Sequence, residues 1–155
     1  MVRWAREIFY ACANPLQKLY WSLFRPYRPG AKTFIFNQDQ LLLVRLGYGH
    51  KKWVLPGGGI DKGEKPEEAA KREVKEEAGL DVENLIYIGK RFNTNQYKKV
   101  DVFYYMAKTN NPDLIIDGQE VVDAGWFRLD ELPKEITPRV GEEIIMYNNW
   151  QDESR

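Results

Sequence analysis

Short apolar runs, each bounded by turn-forming residues, recur along the central part of the chain and predict β-strands. The runs are TFIF, QLLLVRL, NLIYIGKRF, VDVFYYMAK and VDAGWFRL. The turn-like sequence NQD separates the first two runs and therefore predicts a hairpin. We expect a β-sheet to form the body of the protein.

Two further stretches carry the start and stop signals of helices. Pro66 suits the first turn of a helix and Gly79 suits the position after its last turn, so that a helix is expected over residues 66–78. Thr137 followed by a proline opens a second, C-terminal helix. Strands interleaved with two helices predict an α/β domain with a mixed sheet.

Residues 1–29 form a separate segment that is basic and amphipathic. Trp4, Ile8 and Cys12 recur at helical spacing, and the sequence RPYRPG then punctuates the chain. We therefore expect an N-terminal amphipathic helical extension, followed by a main domain over residues 30–155. The extension has three candidate roles: packing on the domain, forming a homodimer, or contacting a membrane surface through residues 1–28. Packing or dimerisation is favoured, because apolar stripes most often face protein.

Composition changes this picture little, because 155 residues with 43% hydrophobic and 30% charged content are typical of one water-soluble domain. Basic and acidic residues balance, which argues against long nucleic acid as a partner. Cys12 and His50 are the only residues of their kinds, which excludes an internal disulfide and a Cys/His zinc cluster. No apolar run is long enough for a membrane span, and we expect a cytoplasmic protein.

Candidate chemistry is concentrated in the first predicted helix, where Glu73, Glu76 and Glu77 share one face. Like charges one turn apart repel by roughly 0.2–0.5 kcal/mol per pair, and a divalent cation such as Mg²⁺ would relieve this repulsion. The preceding glycine loop would let backbone approach both metal and phosphate. The alternative is an ordinary solvated helix with surface ion pairs four residues apart. Those pairs would be Glu67–Lys71 and Glu68–Arg72.

A longer spacing decides between these two interpretations. From Gly58 the chain reads glycine, five residues, Glu64, seven residues, the triplet REV, one residue, the pair EE, one residue, and Gly79-Leu80. This pattern resembles the Nudix box at every constrained position. The resemblance implies a Nudix-type α/β/α sandwich with a mixed β-sheet over the main domain, and it leaves the N-terminal segment outside.

By this resemblance, the chain would hydrolyse a nucleoside diphosphate linked to another group, with water attacking phosphorus. Glu73, Glu76 and Glu77 would hold Mg²⁺, or alternatively Mn²⁺, and the backbone carbonyl of Gly57 would complete the metal shell. The general base would be Glu77 or Glu120, which lies in a loop before a later strand. Glu120 is also a candidate metal ligand.

Other residues are expected to support this chemistry. An arginine fork can pair a carboxylate through two hydrogen bonds, so Arg72 is expected to pair with Glu64 and brace the loop against the helix. Gly58 and Gly59 are expected to shape the loop on the substrate side. Arg45, Lys51 and Lys52 could reach substrate phosphate, although solvated strand and loop ends explain them equally well.

The implied substrate is a small nucleotide, such as a nucleoside triphosphate or an ADP-ribose-like compound. Tyr104 could stack on its base, and His50 could contact it from a loop. The alternative function is a non-catalytic Nudix-fold module that binds nucleotides or regulates, but such a module would be expected to lack some of the box glutamates. A prenyl diphosphate isomerase is excluded, because Cys12 precedes the domain and His50 stands alone.

Overall fold

The computed structural model of the protein describes residues 29–47, 51–95, 98–116, 118 and 120–154. The expectations for the N-terminal segment and for His50 therefore lie outside the described residues. Neither helix within the described residues is long and apolar enough to cross a membrane. The strands of this part of the chain are β1 (Gly30–Asn37), β2 (Gln40–Leu46), β3 (Trp53–Val54), β4 (Gly57–Gly59), β5 (Ile86–Asn95), β6 (Lys98–Lys108) and β7 (Val121–Arg128), and the helices are α1 (Pro66–Ala78) and α2 (Pro138–Glu153).

These strands form one mixed sheet in the order β3-β2-β1-β6-β5, with β4 added to β1 and β7 added to β2. β1 and β2 form the hairpin that the NQD sequence predicts. β1 runs parallel to β6, and Lys32 lies opposite Tyr104 in this pairing. The short strand β4 pairs antiparallel with the start of β1, so that Lys32 also lies opposite Gly57. The glycine loop of the sequence is therefore fixed to the sheet.

The two helices cover opposite faces of this sheet, which confirms the predicted α/β/α sandwich. Successive residues of β1 point to opposite faces: Ile35 belongs to the cluster that contains Val74 of α1, whereas Phe34 packs with Tyr147 of α2. The rings of Phe34 and Tyr147 are stacked, with centroids 5.2 Å apart. Because both faces are covered, the strands carry apolar residues on both sides and appear in the sequence as continuous apolar runs.

Helix α1 begins and ends at the predicted residues, Pro66 and Ala78. At its start, the backbone N–H of Lys65 donates to Glu68 Oε2 at 3.1 Å. At its end, Gly79 adopts a left-handed φ of 73°, and its N–H closes the last turn on a carbonyl four residues earlier at 3.0 Å. These two ends fix the helix, and with it the direction of its acidic face.

Candidate active site

The glycine strand β4 lies directly against the acidic face of α1. The backbone N–H of Gly57 donates a hydrogen bond to Glu77 Oε2 at 2.8 Å. Gly57 has a φ of 147°, and a Cβ at this position would lie 2.2 Å from the carbonyl oxygen of Ala31. A Cβ on Gly58 would lie 2.6 Å from the carboxylate of Glu73. Gly57 therefore requires glycine, because a side chain would displace the sheet, whereas a side chain on Gly58 would displace the carboxylate of Glu73.

Arg72 joins the loop to the helix, and it pairs with Glu64 as expected from the sequence. Its Nε and Nη2 donate to Oε1 and Oε2 of Glu64 at 2.9 and 3.0 Å. Nη2 also donates to the carbonyl of Gly59 at 2.9 Å, and Nη1 donates to Glu73 Oε1 at 2.6 Å. The hydrogen bond from Arg72 lowers the pKa of Glu64 to about 2. One guanidinium thus fixes the loop and orients Glu73.

Four glutamates line one cavity of about 260 Å³ beside this arginine. Glu73, Glu76 and Glu77 project from α1, whereas Glu120 comes from the segment that precedes β7. Glu120 is exposed, and its backbone carbonyl accepts a hydrogen bond from the N–H of Gly47 at 2.8 Å. This bond ties the segment to the end of β2. The fold therefore brings Glu120 to the three helix glutamates, as its proposed role requires.

Burial and repulsion make the charged forms of these carboxylates costly. Burial raises the pKa of Glu77 to about 8; the charges of Glu73 and Glu120 add to the rise, and the hydrogen bond from Gly57 opposes it. Burial also raises the pKa of Glu73, while the hydrogen bond from Arg72 opposes that rise. At pH 7 the carboxyl group of Glu77 is therefore largely protonated in the protein alone. A cation in the cavity would favour the loss of this proton.

The chemistry of this cavity suits a hard divalent cation, because its ionisable side chains are all carboxylates and Mg²⁺ prefers oxygen ligands. Within the described ranges, however, no group of three acidic, histidine or cysteine side chains is arranged so that it could hold a metal ion directly. The hydrogen bonds explain this, since Arg72 draws Glu73 towards itself and Gly57 draws Glu77 towards the strand. The residues fit a metal ion chemically, and binding one requires these carboxylates to turn into the cavity.

Arg45 and Gly59, two candidates for substrate contact, are not among the described residues that line the glutamate cavity. Arg45 Nη2 donates to Asp123 Oδ2 at 2.8 Å, and its guanidinium lies 5.5 Å from the ring centroid of Trp53. Gly59 carries the carbonyl that Arg72 binds, and a Cβ there would meet no atom within 4 Å. Arg45 is thus engaged with β7 and β3, and its contact with substrate stays a prediction.

Two alternatives that the sequence left open are not realised in the structure. Glu68 does not pair with Arg72, because Glu68 caps the start of α1 while Arg72 turns to Glu64 and Glu73. Tyr104 is not placed to stack on a base, because its side chain lies beneath α2 and is only 2% exposed. In the first case several carboxylates compete for one arginine, and in the second α2 covers the face of β6 that carries Tyr104.

A second polar cluster, which sequence analysis missed, lies on the α2 face of the sheet. Lys32 Nζ donates to Glu143 Oε1 at 2.8 Å, and the hydroxyl of Tyr104 donates to the same oxygen at 3.0 Å. The Glu143 side chain is fully buried, and its Oε2 has no hydrogen-bond partner among the described residues. The sequence did carry one signal: Glu143 occupies the apolar face of α2, between the buried Val140 and Tyr147.

The family of the chain follows from this fold and cavity together with one comparison. A sandwich in which a glycine strand orients the glutamates of a Nudix box defines the class of Nudix hydrolase domains. The family model of the NUDIX domain matches residues 26–146, and the chain belongs to the NUDIX family. The family predicted from the box is thereby confirmed.

Known proteins similar to this chain include enzymes and solved structures. The "NAD-capped RNA hydrolase NudC" of Escherichia coli O9:H4 (strain HS) is 37% identical over 102 residues, which are 63% of this chain and 38% of that relative. The chain therefore matches well under half of the length of this curated relative. The structure of a MutT NUDIX hydrolase from Burkholderia pseudomallei matches with 25% identity and a TM-score of 0.67, covering 74% of this chain and 92% of that one. A C. elegans Ap4A hydrolase matches with 26% identity and a TM-score of 0.66, covering 81% and 98%.

Proposed function

We propose that this chain is a divalent-cation-dependent pyrophosphohydrolase that cleaves the diphosphate linkage of a nucleoside diphosphate joined to another group. The observation that carries the proposal is the cavity where three glutamates of the Nudix box meet Glu120 beside the glycine strand. The names of two similar proteins support it, since they are hydrolases of NAD-capped RNA and of Ap4A. Both compounds contain a phosphoanhydride bridge between a nucleoside and another group. A small nucleotide with this bridge, including a nucleoside triphosphate or an ADP-ribose-like compound, is the proposed substrate.

The residues of the cavity divide the work between holding a cation and aligning its ligands. Glu73, Glu76 and Glu77, together with the carbonyl of Gly57, would hold Mg²⁺ or Mn²⁺. When bound, the ion would offset the charge of the phosphates and lower the pKa of a water bound to it. Arg72 keeps Glu73 aligned with β4, because the same guanidinium binds both the loop and this carboxylate. The absence of a Cβ on Gly58 leaves the space that the carboxylate occupies.

Two residues are candidates for accepting a proton from the attacking water, and the cavity contains both. Burial raises the pKa of Glu77 to about 8 in the protein alone, and a bound cation would lower it, so that the carboxylate becomes able to accept a proton. Glu120 is exposed at the same cavity, so that solvent reaches its carboxylate. A base is distinguished from a metal ligand by its effect on turnover without a matching effect on metal affinity. Glu77→Gln and Glu120→Gln should therefore be compared for both quantities.

Product analysis by mass spectrometry tests the proposed activity. The protein is incubated with Mg²⁺ and a panel of nucleoside triphosphates, ADP-ribose, dinucleoside polyphosphates and nucleotide sugars, with EDTA as the metal control. We expect cleavage of a phosphoanhydride bond in at least one compound, and loss of cleavage in EDTA. Binding of nucleotide without cleavage of any compound would instead support the non-catalytic module.

The Glu77→Gln variant tests the site. It keeps the size of the side chain but removes the charge, and we expect turnover to fall at least about a hundredfold. Glu67→Gln is the matched control, because Glu67 lies on the same helix and pairs with Lys71 at 2.9 Å on the surface. Equal turnover in Glu77→Gln and in the unmodified protein would exclude the proposed mechanism.

A further inference from the structure

A cationic cavity of about 380 Å³ lies at the start of α2. Lys32, Lys52 and Arg139 line it together with Val54 and the first residues of the helix. None of the described residues that line this cavity is acidic. Its charge is therefore the reverse of that of the glutamate cavity, and it suits an anion rather than a metal ion.

The cationic cavity and the glutamate cavity are linked through Lys32 and the glycine strand β4. Lys32 lines the cationic cavity and also a neighbouring cavity of about 230 Å³, whose wall includes all of β4. On its other side, β4 contacts the glutamates through the hydrogen bond from Gly57 to Glu77. Lys32 lies opposite Gly57 in the β1–β4 pairing, one residue pair away from this contact. A ligand held at the glutamates could therefore extend over β4 to Lys32.

The start of α2 adds to the positive potential of the cationic cavity. The helix is 16 residues long, begins after Thr137 with a proline, and has no acidic residue in its first turn. The side chain of Thr137 makes no capping hydrogen bond to the helix. The positive end of the helix dipole is thus not offset by a carboxylate in that turn. This end lies at the same cavity as the three cationic side chains.

Lys32 keeps hydrogen-bonding capacity for a ligand although it is paired with Glu143. An ammonium group has three donors, and the bond to Glu143 Oε1 at 2.8 Å uses one of them. The Lys32 side chain is 17% exposed, whereas that of Glu143 is fully buried. The hydrogen bond to the buried carboxylate of Glu143 therefore fixes the position of the Lys32 ammonium group. Among the described residues, Glu143 is the carboxylate that pairs with one of these three cations.

We propose that the cavity lined by Lys32, Lys52 and Arg139 binds an anionic group, either a phosphate or a carboxylate, on the part of the substrate that the glutamate cavity does not hold. This inference rests on the proposed function and narrows its substrate class. The preferred substrate carries a negative group in addition to the diphosphate that is cleaved. Glu143 and Tyr104 act as positioning residues, because Glu143 accepts from Lys32, Tyr104 donates to Glu143, and neither lines the cavity.

The simplest competing explanation is that Lys32 only neutralises Glu143. Removing Lys32 alone would leave a buried carboxylate without its counter-charge and would destabilise the fold under either explanation. The double variant Lys32→Gln with Glu143→Gln removes both charges together and avoids this problem. Arg139→Gln provides a second variant at the edge of the cavity. Lys108→Gln is the matched control, because Lys108 is exposed and lies four residues further along the β1–β6 pairing.

Two pairs of substrates differ by one anionic group each and supply the test. NADPH differs from NADH by a phosphate on the ribose, and UDP-glucuronate differs from UDP-glucose by a carboxylate. Values of kcat/KM are measured for all four compounds with Mg²⁺. Dissociation constants are measured by calorimetry with Ca²⁺, after mass spectrometry has shown that the compounds are not consumed. The second measurement keeps binding separate from turnover.

We expect the unmodified protein to prefer the anionic member of at least one pair by about tenfold, which corresponds to about 1.4 kcal/mol. The preference should fall below about threefold in the double variant and in Arg139→Gln, and it should persist in Lys108→Gln. No preference in either pair, or a preference that both variants retain, would overturn the proposal. Tighter binding of the anionic member without hydrolysis of any compound would support the cationic cavity and contradict the proposed function. Hydrolysis without a preference for the anionic compounds would support the proposed function and contradict the proposed role of the cationic cavity.

Discussion

The two faces of the sheet carry polar clusters that differ in how the chain assembles them. On the α1 face, Arg72 binds Glu64 across eight residues of sequence, and both residues belong to one continuous motif. On the α2 face, Lys32 binds Glu143 across 111 residues, and no motif joins them. The first cluster is encoded by local spacing, whereas the second exists only after the sheet and α2 have packed. The cluster on the α1 face can therefore be predicted from the sequence. The cluster on the α2 face can be recognised only in the folded structure.

The largest effect on turnover should come from Gly58 in β4, which lies against the Glu73 carboxylate of α1. Gly58→Ala would place a Cβ 2.6 Å from the Glu73 carboxylate, and the glutamate must move to make room. Displacement of a catalytic group by about 1 Å can reduce the rate on the order of a hundredfold, and we expect a loss of this size in kcat. Steady-state kinetics with a substrate from the panel, together with thermal denaturation, would measure it.

Gly141→Ala is the control for this prediction, since the same change is made in α2. A Cβ on Gly141 would meet no atom within 4 Å. Replacing glycine inside a helix should stabilise the protein by about 0.5–1 kcal/mol and leave kcat unchanged. A Gly58→Ala protein with normal kcat would show that Glu73 does not need its observed position. Turnover would then tolerate more movement of the Glu73 carboxylate than its contacts indicate.

What the sequence predicted depends on the range of the interactions. The hairpin at NQD, the limits of α1 and the pairing of Arg72 with Glu64 were predicted, because each depends on residues close in sequence. The burial of Tyr104 was not predicted, because nothing in the strand shows that α2 will cover it. The partner of Lys32 was missed for the same reason. The arrival of Glu120 at the glutamate cavity was anticipated only through the family resemblance, since its loop has no local signal.

Without a cation at the glutamates, the protein should become less stable as the pH rises. The folded pKa of Glu77 is about 8, above its ordinary value of 4.5, so the folded protein binds this proton more tightly than the unfolded chain. The resulting stability is fully present below pH 4.5 and is lost as the pH rises through 8. In EDTA, the free energy of unfolding should fall by about 3–4 kcal/mol between pH 5 and pH 8. Urea denaturation across this pH range measures it.

Two comparisons decide whether Glu77 is the origin of this pH dependence. In Glu77→Gln the group cannot ionise, and the loss of stability between pH 5 and pH 8 should largely disappear. Mg²⁺ should restore stability to the unmodified protein at pH 8, because a bound cation favours the charged carboxylate. An unchanged slope in Glu77→Gln would assign the effect to other groups. Glu77 would then not be the cause of the loss of stability between pH 5 and pH 8.

The smallest effect on turnover should come from the other face. Tyr104→Phe removes the hydroxyl that donates to Glu143 at 3.0 Å and leaves the buried carboxylate with Lys32 alone. We expect a loss of about 1.5 kcal/mol in the free energy of unfolding, and a change in kcat of less than about twofold. Tyr105→Phe is the matched control, because Tyr105 follows directly in β6 but contacts Tyr87 on the α1 face. If Tyr104→Phe lowered kcat as strongly as Gly58→Ala, the two faces would form one catalytic unit. The clusters on the α1 face and on the α2 face would then not be functionally separate.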